Sequence, residues 1–90
     1  MNRIWKYNLQ PSKRHVLYMP RGAQILGVQL QNGEPVIWAL VDPDQEMEER
    51  ALYLAWTGEA LPQDKLSYIG TFQADTTVWH LFERTQENQL

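Results

Sequence analysis

Apolar residues recur at every second position along most of this chain, the spacing of strands that turn one face to a core. The clearest stretch runs from Ile25 to Val41. Ile25, Leu26, Val28 and Leu30 lead into Gln31-Asn32-Gly33-Glu34, and Pro35-Val36-Ile37-Trp38-Ala39-Leu40-Val41 leads out. Asn-Gly between two apolar runs predicts a two-residue hairpin, because both residues tolerate the positive φ of a type I′ turn. On the ingoing arm Gln24 shares the parity of Leu26, Val28 and Leu30, which predicts one buried face opposite Gly27, Gln29 and Gln31. The outgoing arm is apolar on both parities, which predicts a central strand covered on both faces.

The same alternation marks further strands. Residues 3–9 put Trp5, Tyr7 and Leu9 on one face and Ile4, Lys6 and Asn8 on the other. Pro11-Ser12-Lys13 breaks that run, and a short strand follows from about Arg14 to Met19. Pro20-Arg21-Gly22 predicts a turn, with Gly supplying the freedom for a tight reversal. Leu66 to Ala74 reads as a strand with Leu66, Tyr68 and Phe72 on one parity and Ile69 on the other. Gly70 inside it predicts a bulge or a close backbone approach. After Ala74-Asp75-Thr76, the last strand spans Thr77 to Arg84, with Trp79 and Leu81 opposed to Val78, His80 and Phe82.

One region carries two patterns. Asp42-Pro43-Asp44-Gln45-Glu46 has a capping residue, a Pro at a first helical position and acids for a first turn, and Gly58 could close a helix. Leu52, Leu54 and Trp56 nevertheless alternate with Ala51, Tyr53 and Ala55, as a strand would. A helical turn at 44–48 followed by a strand at 49–56 satisfies both. Thr57 to Asp64 shows few ordering features of its own. The expected fold is therefore one all-β domain over residues 1–84, with about seven short antiparallel strands and one short helical turn. A small barrel, a curled sheet and a sandwich all fit. Residues 85–90 read as a frayed polar tail.

Composition narrows the function classes. Ninety residues with 43% apolar content, four Trp, four Tyr and two Phe suffice for one small core. With no Cys, disulfide, thiolate-metal and thiol redox chemistry are excluded, as a cytosolic protein would have it. No window approaches 18 apolar residues and no apolar signal region opens the chain, so no membrane association is expected. The net charge of −3 is unevenly spread. Residues 1–33 hold five basic groups (Arg3, Lys6, Lys13, Arg14, Arg21) and no acid, while residues 34–90 hold three basic and eleven acidic groups. Such a split either creates an anion-attracting region or lets the two halves pair across a shared sheet.

Three blocks stand out: Ile4-Trp5-Lys6-Tyr7, the run Met19-Pro20-Arg21-Gly22-Ala23-Gln24-Ile25-Leu26 continuing to Trp38-Ala39-Leu40-Val41-Asp42-Pro43, and Tyr68-Ile69-Gly70-Thr71-Phe72 with Val78-Trp79-His80-Leu81-Phe82-Glu83. Together they resemble a family of small tailed-bacteriophage and prophage proteins built on a domain of unknown function. The resemblance implies a phage-encoded protein acting in the bacterial host cytoplasm, and a strand over residues 49–56. That family commonly has His after Thr-Gly, where this chain has Glu59.

Catalytic groups are few. The histidines are His15 and His80 and the serines Ser12 and Ser67, without a nucleophile elbow, phosphate loop or metal-binding His spacing. A small hydrolase pairing His80 with an acid of the 42–49 loop is the weakest reading. Asp42, Asp44 and Glu46 alternate as cation ligands can, but lack the Gly and distal Glu of an EF-hand loop. No cofactor is expected. Basic groups mixed with Trp5, Tyr7, His15 and Tyr18 could hold phosphate and stack on bases, against the plainer reading of Trp5 and Tyr7 as core. The acidic net charge argues against long duplex DNA.

These readings favour a non-enzymatic accessory binding protein acting against host defence, by binding a defence protein or sequestering a small anionic nucleotide. The alternative is a phage structural or assembly protein that self-associates through strand edges, and a homo-oligomer fits either. The residues expected to contact a ligand or partner are Lys13, Arg14, His15, Tyr18, Arg21, Trp56, Glu59 and His80.

Overall fold

In the computed structural model, which describes residues 1–10 and 12–85, the chain forms seven antiparallel strands in two sheets. They are β1 (Arg3–Asn8), β2 (Arg14–Pro20), β3 (Gln24–Gln31), β4 (Glu34–Val41), β5 (Met47–Trp56), β6 (Leu66–Ala74) and β7 (Thr77–Arg84). One sheet has the order β1-β4-β3 and the other β2-β5-β7-β6. Their inner faces enclose a core of Leu9, Met19, Ala23, Val28, Ile37, Ala39, Val41, Leu52, Leu54 and Leu81. Trp5 and Tyr7 pack against that core, so they serve as structural aromatics. Among the described residues β1 and β2 do not pair, so the sheets are not closed into a barrel, and the two stack as a sandwich. Among the described residues no helix is long and apolar enough to cross a membrane.

The β3–β4 hairpin forms as expected. Gln31 stands opposite Glu34, with Asn32 at φ 53° and Gly33 at φ 82° between them. Two bulges correct the face assignments. Ile25 pairs with Ala39 and Gly27 with Trp38, which leaves Leu26 as the extra residue and reverses the alternation across it. Ile25 and Val28 therefore both face the core, while Leu26 is 48% exposed and Gln24 lies outside. In β6, Tyr68 pairs with Phe82 and Gly70 with Leu81, so Ile69 is extra. Tyr68 and Phe72, alike in parity, consequently face opposite ways.

The expected cover on both faces of β4 is also corrected. Ile37, Ala39 and Val41 point at the second sheet, whereas Trp38 and Leu40 point outward and are only partly buried. Val36 shares that outer face and is still buried. The register explains it. Lys6 lies level with Trp38 and Gln31 with Glu34, and the 2.8 Å bond from Lys6 Nζ to Gln31 Oε1 runs diagonally over the position between them.

No helical turn forms at 44–48, and β5 already begins at Met47. The helix-start signals serve a turn instead. Asp42 Oδ1 accepts the Asp44 amide at 3.1 Å, and the Gln45 amide donates to the Asp42 carbonyl at 3.1 Å. The amide of Asp44 holds the Asp42 carboxyl below its ordinary pKa. At the other end, the Thr85 amide donates to the Lys65 carbonyl at 3.0 Å, so the chain is tied down one residue into the expected tail. Residues 86–90 of that tail, and Pro11 of the expected break, lie outside the described residues.

Candidate functional site

The outward side chains of β2-β5-β7-β6 build one continuous surface. Arg14 stands opposite Tyr53, Tyr53 opposite Phe82, and Phe82 opposite Tyr68, a ladder across all four strands. The Arg14 guanidinium lies 5.1 Å from the Tyr53 ring centre, and Tyr68 meets Phe82 edge to face at 5.8 Å. Both contacts suit the negative face and positive edge of an aromatic ring. The next row is Ala55, His80 and Thr71. Val16, Tyr18, Tyr68 and Leu61 all remain about half exposed or more.

The segment after β5 walls this surface. Contrary to the weak ordering expected for Thr57 to Asp64, Glu59 staples the turn to the sheet. Its Oε2 accepts the Tyr53 hydroxyl at 2.6 Å and pairs with Lys13 Nζ, and its Oε1 accepts the Trp56 amide at 2.9 Å. Gly58, at φ 95°, gives the turn the left-handed residue it needs, and the Glu59 amide closes it on the Trp56 carbonyl. The Glu59 side chain is 6% exposed. Burial alone would raise its pKa, but the bonds from Lys13, Tyr53 and the Trp56 amide outweigh that and hold it below the ordinary value. The Lys13 ammonium is raised in return, chiefly by its bond to Glu59, and lies 4.1 Å from the Trp56 ring centre.

Between this wall and the strands lies a cleft of about 210 Å³. Ala55, His80 and Phe82 line it from the strands, Thr57, Glu59 and Leu61 from the wall. His80 carries a hydroxyl on each nitrogen: Thr57 Oγ1 lies 2.8 Å from Nε2 and Thr71 Oγ1 3.0 Å from Nδ1, with the Tyr68 hydroxyl against Thr71. A neutral ring with the proton on Nε2 satisfies this chain, donating to Thr57 and accepting from Thr71.

The eight expected contact residues divide. Lys13, Arg14, Trp56 and Glu59 converge around Tyr53, with His80 in the adjoining cleft. Tyr18 and Arg21 lie toward the other end of β2. There the Tyr18 hydroxyl donates to Glu49 at 3.1 Å and Arg21 pairs with Glu46 at 2.7 Å. His15 leaves the surface altogether. It is 8% exposed, and its Nε2 lies 2.6 Å from the Ser12 carbonyl. The basic N-terminal third is therefore no single cationic patch, since Lys13 and Arg21 pair with acids of the later half. Tyr53, Phe82, Tyr68, Leu61 and the two threonines were missed as site residues. The outward parity of Phe82 was legible, but its neighbours on β5 and β6 required the strand order. Among the described residues, no three His, Asp or Glu side chains form a group that could hold a metal ion.

The fold and this surface define a small all-β sandwich with an aromatic outer face. Residues 1–90 match the family described as a domain of unknown function (DUF7352), and the chain belongs to it. No curated protein and no solved structure matches it.

Proposed function

We propose that this is a non-enzymatic binding protein whose outer β2-β5-β7-β6 face docks a protein partner. The ladder Arg14–Tyr53–Phe82–Tyr68 carries the reading: Arg14 and Tyr68 stand exposed at its ends, Phe82 is half-buried and Tyr53 is its buried base, and Arg and aromatic residues on a rigid sheet are the side chains that anchor protein interfaces. A binding role is further supported by how the polar groups are engaged. His80 is held between threonines, Asp42 is spent on its turn, and Ser12 Oγ donates to the Arg14 carbonyl. A protein partner is favoured over a small nucleotide because Lys13 and Arg21, needed for phosphate, already have carboxylate partners. The resemblance to phage and prophage proteins supports a phage-encoded factor in the host cytoplasm, with a host defence protein as its target.

The test is capture of a defined host protein from bacterial lysate, quantified with the purified partner. Tyr68 and Leu61 are 60% and 47% exposed, so Tyr68→Asp and Leu61→Asp leave the core intact. Each is expected to weaken binding by roughly tenfold or more. Undiminished affinity in both variants overturns the docking face. Saturable heat on titration with cyclic di- or trinucleotides, without a protein partner, replaces this reading by nucleotide sequestration.

A further inference from the structure

Four strands lie at the sheet edges: β1 and β3 in one sheet, β2 and β6 in the other. Exposed edges template pairing with another strand unless they are bulged, charged or covered. β3 and β6 each carry a bulge and pack on one another through Val28 and Gly70. β1 places Lys6 in its middle. β2 has no bulge and no charge at its centre: its one cation, Arg14, stands at its first position with the guanidinium over the Tyr53 ring. Its register with β5 is unbroken from Arg14 to Pro20, its centre is Val16-Leu17-Tyr18, and Pro stands at its last position.

The direction of its free hydrogen-bonding groups follows from two bonds. The Lys13 carbonyl accepts from the Leu54 amide at 2.7 Å, and the Arg21 amide donates to the Glu46 carbonyl at 2.7 Å. Odd-numbered residues of β2 therefore address β5, and Arg14, Val16 and Tyr18 direct their amides to the open edge. The same three residues hold their side chains on the outer face, where Val16 is 56% and Tyr18 55% exposed.

We infer that this edge pairs with the β2 edge of a second copy, antiparallel about a two-fold axis at Val16. The strand is self-complementary in that register. Val16 meets Val16 of the second copy, and Arg14 meets Tyr18, whose hydroxyl is bonded to Glu49. Arg14 has no carboxylate partner among the described residues, and its guanidinium there gains both an aromatic ring and a nearby acid. Arg14, Val16 and Tyr18 of each copy exchange amide-to-carbonyl bonds, with the Ser12 hydroxyl yielding the Arg14 carbonyl. The two four-stranded sheets become one eight-stranded sheet, and the axis, normal to it, keeps both aromatic ladders on the same side. The inference does not depend on the docking role of those ladders.

Sedimentation and light scattering of the full chain at roughly 0.1 mM, a concentration that populates micromolar dimers, are expected to give twice the 10.6 kDa chain mass. Amide exchange identifies the edge. In the dimer the Val16 and Tyr18 amides are expected to exchange at least about tenfold more slowly than in dilute monomer, while the Leu17 amide, bonded within the sheet, is protected in both. Val16→Lys sets two ammonium groups at the axis and is expected to give a folded monomer; Val16→Thr keeps the dimer. Arg14→Glu weakens it and Arg14→Glu with Glu49→Arg restores it. A monomer at this concentration overturns the inference, and so does a dimer in which the Val16 amide exchanges freely.

Discussion

A Cβ placed on Gly70 would stand 2.9 Å from Cγ1 of Val28 and 3.8 Å from its backbone nitrogen. The two edge strands thus close one side of the sandwich at a contact that leaves no space for a methyl group. Val28 follows the bulge at Leu26, and Gly70 follows the bulge at Ile69. Each bulge bends its strand just before the point where the sheets meet. Gly70 has no left-handed backbone to protect, since the positive-φ glycines are Gly22, Gly33 and Gly58.

The sign of a Gly70→Ala substitution therefore reads the contact. Without a clash, Ala would stabilise by about 0.4–1 kcal/mol through the unfolded chain. With Val28 in the way, overpacking is expected to cost about 1–3 kcal/mol. Val28→Ala leaves a cavity of its own, but Gly70→Ala should cost measurably less in that background. Urea unfolding of the four proteins completes the cycle. A stabilising Gly70→Ala would show that the strands do not meet this closely.

These bulges also mark how much was legible in the chain. Hairpin turns were, because Asn32-Gly33 declares its own φ angles. So was a bulge or close approach at Gly70, which proves to be both. Which face each residue takes was not, wherever an extra residue reverses the alternation, as at Leu26 and Ile69. Sheet order was equally hidden. The tight turn at Asp75-Thr76 lays β6 beside β7, but nothing local tells β7 to lie beside β5 or β5 beside β2, and without that order Arg14, Tyr53 and the Phe82–Tyr68 pair are scattered along the chain. Glu59 stood among the expected contact residues, but its part in stapling the turn was hidden because its partners Lys13 and Tyr53 come from two other segments. His15 read as part of a cationic patch because the parity of β2 was not set against its partner strand.

The Tyr7 hydroxyl is buried with no hydrogen-bond partner among the described residues. Its pKa is raised, chiefly by burial, and the Arg50 charge opposes the shift. An unpaired buried hydroxyl costs free energy, on the order of 1–3 kcal/mol. Tyr7→Phe keeps the ring and removes that cost, so stability should be unchanged or rise by up to about 1 kcal/mol. Thermal melts of the two proteins decide it. A loss above about 1 kcal/mol would mean that the hydroxyl has a partner in solution.

Glu59 and Lys13 give the wall of the cleft a pH dependence. The folded Glu59 carboxyl lies below its ordinary 4.5, so its stabilising effect is complete above that value and fades as pH falls through the folded pKa. Lys13 has the opposite sign: its pKa lies above its ordinary 10.5, so its effect is complete below that value and is lost as pH rises through the folded pKa. Trp56, beside the Lys13 ammonium, is the reporter. A Trp56-attributable fluorescence change, defined by difference from Trp56→Phe, is expected only as pH falls below 4.5, and Glu59→Gln should shift the protein toward that acid spectrum at neutral pH. A spectrum unaltered by Glu59→Gln would detach the staple from Trp56.

Arg50 and Glu83 form the most buried ion pair described in the sandwich, at 16% and 20% side-chain exposure. Arg50 Nε and Nη2 meet the two Glu83 oxygens, the second at 3.0 Å, and Nη1 donates to the Ala23 carbonyl at 2.8 Å. The hydrogen bond to Glu83 raises the already high Arg50 pKa, so the guanidinium stays charged at any working pH. One guanidinium thus joins β5 and β7 to the turn that opens β3. Glu83→Gln keeps the shape but leaves the half-buried cation with only the more distant Glu48 carboxylate, 3.8 Å away, which should cost about 2–3 kcal/mol. Arg50→Met with Glu83→Leu removes both charges and should recover at least half of that loss, because desolvation offsets most of what a buried pair contributes. The Ala23 carbonyl then lacks its donor, so full recovery is not expected. Denaturant unfolding of the single and double variants reads both values. A double variant weaker than Glu83→Gln would assign the stabilisation to the Ala23 anchor instead of the ion pair.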